Sequence, residues 1–169
     1  MKSVEFKTQI ANFQYSEILK FIESQSFPVG WKETNFLKEL RKKNSIYFIA
    51  YDIPDKIRNF HEHKKVLLNN KIIVGYAGVW FHKEFSEIVS VAVLQNFRRL
   101  GVGNLLINEL IDYVNSNKKV KMINLEVGKK NFKAISLYKQ LGFKENGYRR
   151  KYYLHDGDDA ILMSLKINY

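Results

Sequence analysis

The 169-residue chain has no cysteine. That removes a disulfide framework, a thiolate zinc site and a cysteine nucleophile from consideration, and it fits a reducing compartment. Proline is almost missing too, with two residues. No Pro- or Ser-rich linker and no internal repeat interrupts the sequence, so a single domain over residues 1–169 is expected. No run approaches the roughly 18 apolar residues of a membrane span. The opening segment MKSVEFKTQIANF has no apolar stretch of the signal-peptide kind. These features predict a soluble, cytoplasmic protein without a membrane partner. Arginine is scarce as well: four of its six residues form the pairs Arg98-Arg99 and Arg149-Arg150.

What is present suits one packed core. Hydrophobic residues make up 46% of the chain, with 12 Phe and 10 Tyr, which excludes wholesale disorder. The net charge of +11 suits an acidic partner such as a phosphorylated cofactor, a nucleic acid or a ribosome surface. It equally suits a solvated, lysine-rich surface.

Apolar periodicity predicts helices over Ser16–Gln25, with Ser16 as a cap, and over Thr34–Lys42, separated by the breaker Phe27-Pro28-Val29-Gly30-Trp31. Strands are expected over Ser45–Tyr51, Ile72–Phe81 and Glu87–Leu94, the last apolar on both faces and therefore central. The polar Asp52–Asn70 segment reads as a long loop or hairpin tip. A helix over Gly103–Asn115, a strand over Met122–Val127 and a helix over Asn131–Leu141 follow, with Asn131 as N-cap and Gly142 just past the end. Phe143–Tyr153 and Ala160–Ile167 read as strands, antiparallel across a turn at His155–Asp158. The alternation places the chain in the α/β or α+β class.

The most informative segment starts at Ser90: SVAVLQNFRRLGVGNLL. A buried strand enters a loop holding Arg98, Arg99, Leu100, Gly101 and Gly103, and the loop opens a helix through Val102 and Asn104. This order aims free backbone N–H groups and the positive end of the helix dipole at one point. Glycine permits close approach there. The result suits a pyrophosphate, while a tight strand–helix turn without a ligand is the structural alternative. A Rossmann loop needs a third small residue where Leu106 stands, and the Gly-Lys-Ser/Thr of a Walker A loop is absent.

Arg98-Arg99-Leu100-Gly101-Val102-Gly103, followed at the right distance by NLEVGKKNFKAISLYKQLGF from Asn124, resembles the two hallmarks of the GNAT superfamily of acyltransferases. Within it, YRRKYYLHDGDDAILM from Tyr148 and the FPVGW segment resemble RimI-type and archaeal-type N-terminal acetyltransferases. The resemblance implies a mixed, mostly antiparallel sheet flanked by helices, and acetyl-coenzyme A as cosubstrate with no metal. It implies an acceptor that is a protein N-terminus, of the ribosomal-protein alanine type, without direct nucleic-acid binding. Backbone groups of Val91, Ala92 and Val93 would hold the pantetheine arm, Arg98–Asn104 the pyrophosphate, and Asn131 would lie beside the cofactor. Glu126 would be the base and Tyr138 the acid. Without the motif, Glu126 reads as a strand-end carboxylate in a salt bridge, and Asn131 with Tyr138 as a helix cap and a core tyrosine.

Other acceptor classes stay open: a small-molecule amine or a lysine side chain on the same fold, and, more distantly, a non-catalytic basic module binding RNA or a ribosome. His61-x-His63 reads as a solvated loop rather than a metal site. Asp156, Asp158 and Asp159 read as a hairpin turn whose acidity could assist recognition of an amine.

Overall fold

The computed structural model describes residues 5–53, 65–116 and 119–167. His61, His63 and most of the charged Asp52–Asn70 segment lie outside them.

Eight strands form one sheet: β1 (Lys7–Ile10), β2 (Ser45–Asp52), β3 (Leu67–Leu68), β4 (Lys71–Phe81), β5 (Phe85–Val93), β6 (Met122–Gly128), β7 (Lys144–Tyr153) and β8 (Asp158–Lys166). The order across the sheet is β1-β2-β4-β5-β6-β8-β7, with β3 pairing β4 at its side. Every pairing is antiparallel except β5 with β6. The strand expected to be central, β5, is so.

Among the described residues, four α-helices complete the fold: α1 (Ser16–Ser26), α2 (Phe36–Glu39), α3 (Val102–Asn115) and α4 (Phe132–Gln140). They cover opposite faces of the sheet. Tyr47 and Phe48 are neighbours on β2 and therefore point to opposite sides. Tyr47 meets Phe36 of α2 with ring centroids 5.6 Å apart, while Phe48 meets Tyr113 of α3 at 5.4 Å. Leu19 and Ile22 of α1 and Leu106, Ile107 and Leu110 of α3 are fully buried. At roughly 1.5–3 kcal/mol per buried aliphatic side chain, these stripes hold the helices to the sheet.

Several local expectations are corrected. Strand β1 was not expected, because Lys7, Thr8 and Gln9 make it polar; it is an edge strand held by backbone pairing to β2. Ser16 does not cap α1, which continues directly from a 3₁₀ turn at Phe13–Tyr15 whose cap is Asn12. Helix α2 is one turn rather than the full Thr34–Lys42 stretch. Asn35 caps it by accepting from the Lys38 N–H at 3.0 Å, and Thr34 is held outside by Glu23. Asn131 caps α4 as expected, accepting from the Ala134 N–H at 3.2 Å. The α4 C-terminus closes as expected, with Gly142 N–H to the Lys139 carbonyl and Phe143 N–H to the Tyr138 carbonyl, both 3.0 Å.

Candidate active site

Strands β5 and β6 pair only from Phe85↔Met122 to Ile88↔Leu125. Beyond that point β5 stays with β4 and β6 stays with β8, so a cleft opens between them. The break coincides with a bulge. Gly78 faces Ser90 while Val79 faces Ile88, which leaves Val89 as an extra residue in β5.

The ladder decides which groups of β5 face the cleft. Leu94 N–H donates to the Val74 carbonyl at 2.9 Å. Antiparallel alternation then turns the backbone groups of Val93 and Val91 the other way, into the cleft. The Val93 carbonyl there accepts from Arg98 Nε at 2.8 Å. The same alternation points the Ala92 backbone at β4, and its side chain is buried. Of the three residues expected along the pantetheine arm, Val91 and Val93 therefore offer backbone groups to the cleft.

The cleft runs into the Arg98–Asn104 loop. Arg98 is extended, and Arg99 takes a positive φ of 63°. Gly101 has φ 83° and nothing within 4 Å of where a Cβ would stand. Both sit in the left-handed region, which is costly for the arginine and easy for the glycine. The first bond of α3 runs from Leu105 N–H to the Gly101 carbonyl at 2.9 Å. The N–H groups of Val102, Gly103 and Asn104 precede it and lie free at the positive end of the helix dipole. Leu100 is exposed, and the Asn104 side chain is engaged by Asn108. Free donors, an unfilled Cβ position and two arginines fit a pyrophosphate.

At the other end the groups are side chains. Glu126 Oε1 lies 2.7 Å from Arg149 Nη1. The Tyr152 phenol hydrogen-bonds Glu126, and that bond raises its pKa. Burial first, and then the charge of Glu126, pushes Tyr153 above its usual value, with Tyr138 also within electrostatic reach. Tyr138 is buried on α4, edge-on to Phe143 at 5.7 Å, and burial pushes its phenol up to about 12. Asn131 is exposed at the start of that helix, its side-chain oxygen occupied by the cap.

An aromatic wall closes this end. Trp31 stacks on Phe27 at 4.4 Å and on Tyr153 at 5.9 Å, and meets His155 edge-on at 6.0 Å. Gly30 allows the approach, since a Cβ there would lie 3.2 Å from His155 Cβ. Buried Glu23 anchors the segment by accepting from Thr34 N–H at 2.9 Å and Thr34 Oγ1 at 2.5 Å. Sequence reasoning missed Arg149, Glu23 and His155 as parts of this end. The unusual Arg149-Arg150 pair was the one available signal.

The acidic turn is committed locally. Asp158 is buried and accepts from Lys130 N–H at 3.0 Å. Asp159 accepts from Lys151 N–H at 2.9 Å, which together with nearby Lys129 holds its pKa below the ordinary carboxylate value. No cluster of three or more His, Asp or Glu placed to hold a metal occurs among the described residues. No described helix is long and apolar enough to cross a membrane.

A strand-flanked cleft ending on a Gly-rich helix start suits an extended ligand with a pyrophosphate, the shape of an acyl-coenzyme A. The model of the acetyltransferase (GNAT) family matches residues 17–143, and the chain belongs to that family. It is 42% identical over 166 residues to an N-alpha-acetyltransferase of Sulfolobus acidocaldarius, covering 96% of this chain and 94% of that one. It is 41% identical over 85 residues to the [ribosomal protein bS18]-alanine N-acetyltransferase of Escherichia coli, covering 49% and 57%. A crystal structure of the ribosomal-protein-S18-alanine N-acetyltransferase from Escherichia coli shares the fold, with a TM-score of 0.78, 23% identity and coverage of 98% and 96%. Arabidopsis thaliana NAA60 in complex with acetyl-CoA shares it with a TM-score of 0.80, 18% identity and coverage of 98% and 100%.

Proposed function

We propose that this enzyme transfers the acetyl group of acetyl-coenzyme A to the N-terminal α-amino group of a protein, with a ribosomal-protein alanine N-terminus as the acceptor type. The observation that carries the reading is the β5–β6 cleft. It joins a donor end rich in free backbone N–H groups to an acceptor end lined by Glu126, Tyr152 and Tyr153. The kinship to N-alpha-acetyltransferases over nearly the whole chain supports the acceptor class. A cytoplasmic setting follows from the reading, because acetyl-coenzyme A and nascent protein N-termini meet there.

Acetyl-coenzyme A lies with its pyrophosphate against the Val102–Asn104 N–H groups, beside Arg98, Arg99, Leu100 and Gly101. Its pantetheine amides run along the backbone of Val91 and the N–H of Val93, whose carbonyl is held by Arg98, with Ala92 buttressing the strand from the core, and Asn131 flanks the arm. An α-ammonium has a pKa of about 8, so at neutral pH it must lose a proton before it attacks. Glu126 accepts that proton, directly or through a water. The amine nitrogen bonds to the thioester carbonyl carbon, and the carbon–sulfur bond breaks. Tyr138 keeps its proton at neutral pH, because burial raises its pKa to about 12; it protonates the departing thiolate and is restored by the second proton that the nitrogen sheds as the amide forms. An N–H of β5 at the cleft edge stabilises the oxyanion. Most of the acceleration comes from holding amine and thioester in contact.

The test is a mass-spectrometric acetylation assay with acetyl-coenzyme A over peptides with free N-termini, N-terminally blocked lysine peptides and polyamines. Turnover confined to free peptide N-termini is expected. Turnover confined to lysine side chains or polyamines would overturn the acceptor assignment.

A further inference from the structure

Glu126, the carboxylate proposed to take the proton from the acceptor, already holds a cation. The Arg149 guanidinium sits 2.7 Å from its Oε1, and the two side chains differ sharply in exposure: 18% for Glu126 against 55% for Arg149. A carboxylate this enclosed needs a positive partner, and one so exposed can leave at little cost. Arg149 also has a second partner in the same position, since its guanidinium carbon lies 5.4 Å from the centre of the Tyr152 ring, a contact that survives loss of the carboxylate. Its strand is an edge strand whose register with β8 breaks between Arg149 and Tyr153. Lys151 in that break takes φ 49°, with its N–H held by Asp159. The arginine is thus mounted where the ladder is interrupted.

We propose that Arg149 occupies the ammonium subsite of the acceptor-free enzyme and is displaced from Glu126 by the α-ammonium of the incoming N-terminus. The inference rests on the reading of Glu126 as the base. Displacement exchanges one cation for another at the same carboxylate, so the pocket never holds an unpaired charge. The guanidinium keeps its proton and stays against the Tyr152 ring as it leaves the carboxylate. The ammonium then passes its proton to the released carboxylate, and the neutral nitrogen attacks the thioester. In the absence of an acceptor, Arg149 occupies the lone pairs with which Glu126 would activate a water. It thereby protects bound acetyl-coenzyme A from hydrolysis, and an acceptor without a cationic N-terminus does not release it.

The experiment compares Arg149→Ala and Arg149→Lys with the unaltered enzyme, using acetyl-coenzyme A and a free N-terminal peptide. For Arg149→Ala the acceptor KM is expected to fall about two- to fivefold, the range for removing one competing partner of a half-exposed ion pair. Acceptor-independent hydrolysis of acetyl-coenzyme A is expected to rise by a similar factor. Guanidinium ion added as the chloride should compete with the acceptor in Arg149→Ala but not in the unaltered enzyme, with sodium chloride as the control. Arg149→Lys, which keeps a cation, should restore both KM and low hydrolysis. A lowered kcat with unchanged KM in Arg149→Ala, rescued by lysine, would show that Arg149 positions Glu126 instead and would overturn the proposal. Failure of the unaltered enzyme to acetylate any peptide N-terminus is a separate outcome, and it removes the functional reading beneath.

Discussion

The two ends of the cleft are made of different materials. The donor end is backbone: the N–H groups of Val102, Gly103 and Asn104, and the cleft-facing edge of β5 at Val91 and the Val93 N–H. The acceptor end is side chain: Glu126, Tyr138, Arg149 and Tyr152 come from the consecutive elements β6, α4 and β7, and Trp31 comes from the α1–α2 connection far earlier in the chain. Backbone donors persist through most side-chain changes, so the donor end is sensitive only where a substitution alters φ or fills space. The acceptor end depends on single chemical groups. Substitutions there should separate chemistry from cofactor binding, and substitutions in the loop should do the reverse.

The largest effect is expected at the proposed base. Glu126→Gln keeps the size of the side chain and a hydrogen-bond partner for Tyr152, but removes the proton acceptor. We expect kcat to fall about 10²- to 10³-fold, with the acetyl-coenzyme A Kd unchanged by calorimetry. A matching loss of cofactor affinity would show that the two ends are not separable.

Tyr138→Phe should cost kcat about tenfold or more, because the thiolate then leaves without its acid. It also carries a pH signature. Burial raises the folded-state pKa to about 12 from an ordinary 10.0. Below pH 10 both folded and unfolded chains keep the phenolic proton, and the group gives no pH dependence. Between pH 10 and about 12 the unfolded chain loses the proton first, so stability falls as pH rises. The full loss from this tyrosine is about 2–3 kcal/mol. In Tyr138→Phe the fall measured by urea denaturation over that window should shrink; an unchanged slope would place the phenol in water.

The loop gives the converse. At Gly101 the φ of 83° puts any side chain under strain although the space is open. Gly101→Val should lower stability by about 1–2 kcal/mol and weaken acetyl-coenzyme A about tenfold, since the branched side chain occupies the approach to the helix start. The acceptor KM at saturating cofactor should stay within twofold. A wild-type cofactor Kd would mean that the pyrophosphate lies elsewhere.

The same contrast explains what could be read in the sequence. The Arg98–Asn104 loop, the Asn131 cap and the Gly142 helix end are local: each needs a particular residue type at a fixed offset, and each reads off a short window. The sheet's centre was equally plain, because β5 is apolar on both faces. Strand β1 was not, since Lys7, Thr8 and Gln9 carry no alternation and are placed only by β2. The Val89 bulge depends on what Gly78 and Val79 do across the ladder. The Arg149–Glu126 contact joins residues of β6 and β7, which do not pair with each other and are brought together by β8. No spacing rule within one strand encodes that. The ion pair expected of a strand-end carboxylate is present at Glu126, and it stands beside the proposed base role rather than excluding it.

The smallest effect is expected in the acidic turn. Its carboxylates lie near the aromatic wall, and their charge suggests attraction for an amine. Yet Asp159 is occupied by the Lys151 N–H at 2.9 Å and faces Lys129 at 3.6 Å. Asp156 accepts from the Asp158 N–H at 3.0 Å, the main cause of its lowered pKa. An acceptor would have to take these oxygens from bonds that shape the turn. Asp159→Asn keeps an oxygen for Lys151 and removes only the charge, so the acceptor KM should change less than twofold, as is usual for a well-screened surface charge. A rise of fivefold or more, with kcat intact, would extend the ammonium subsite from Glu126 to the turn and make the acceptor end a two-carboxylate site.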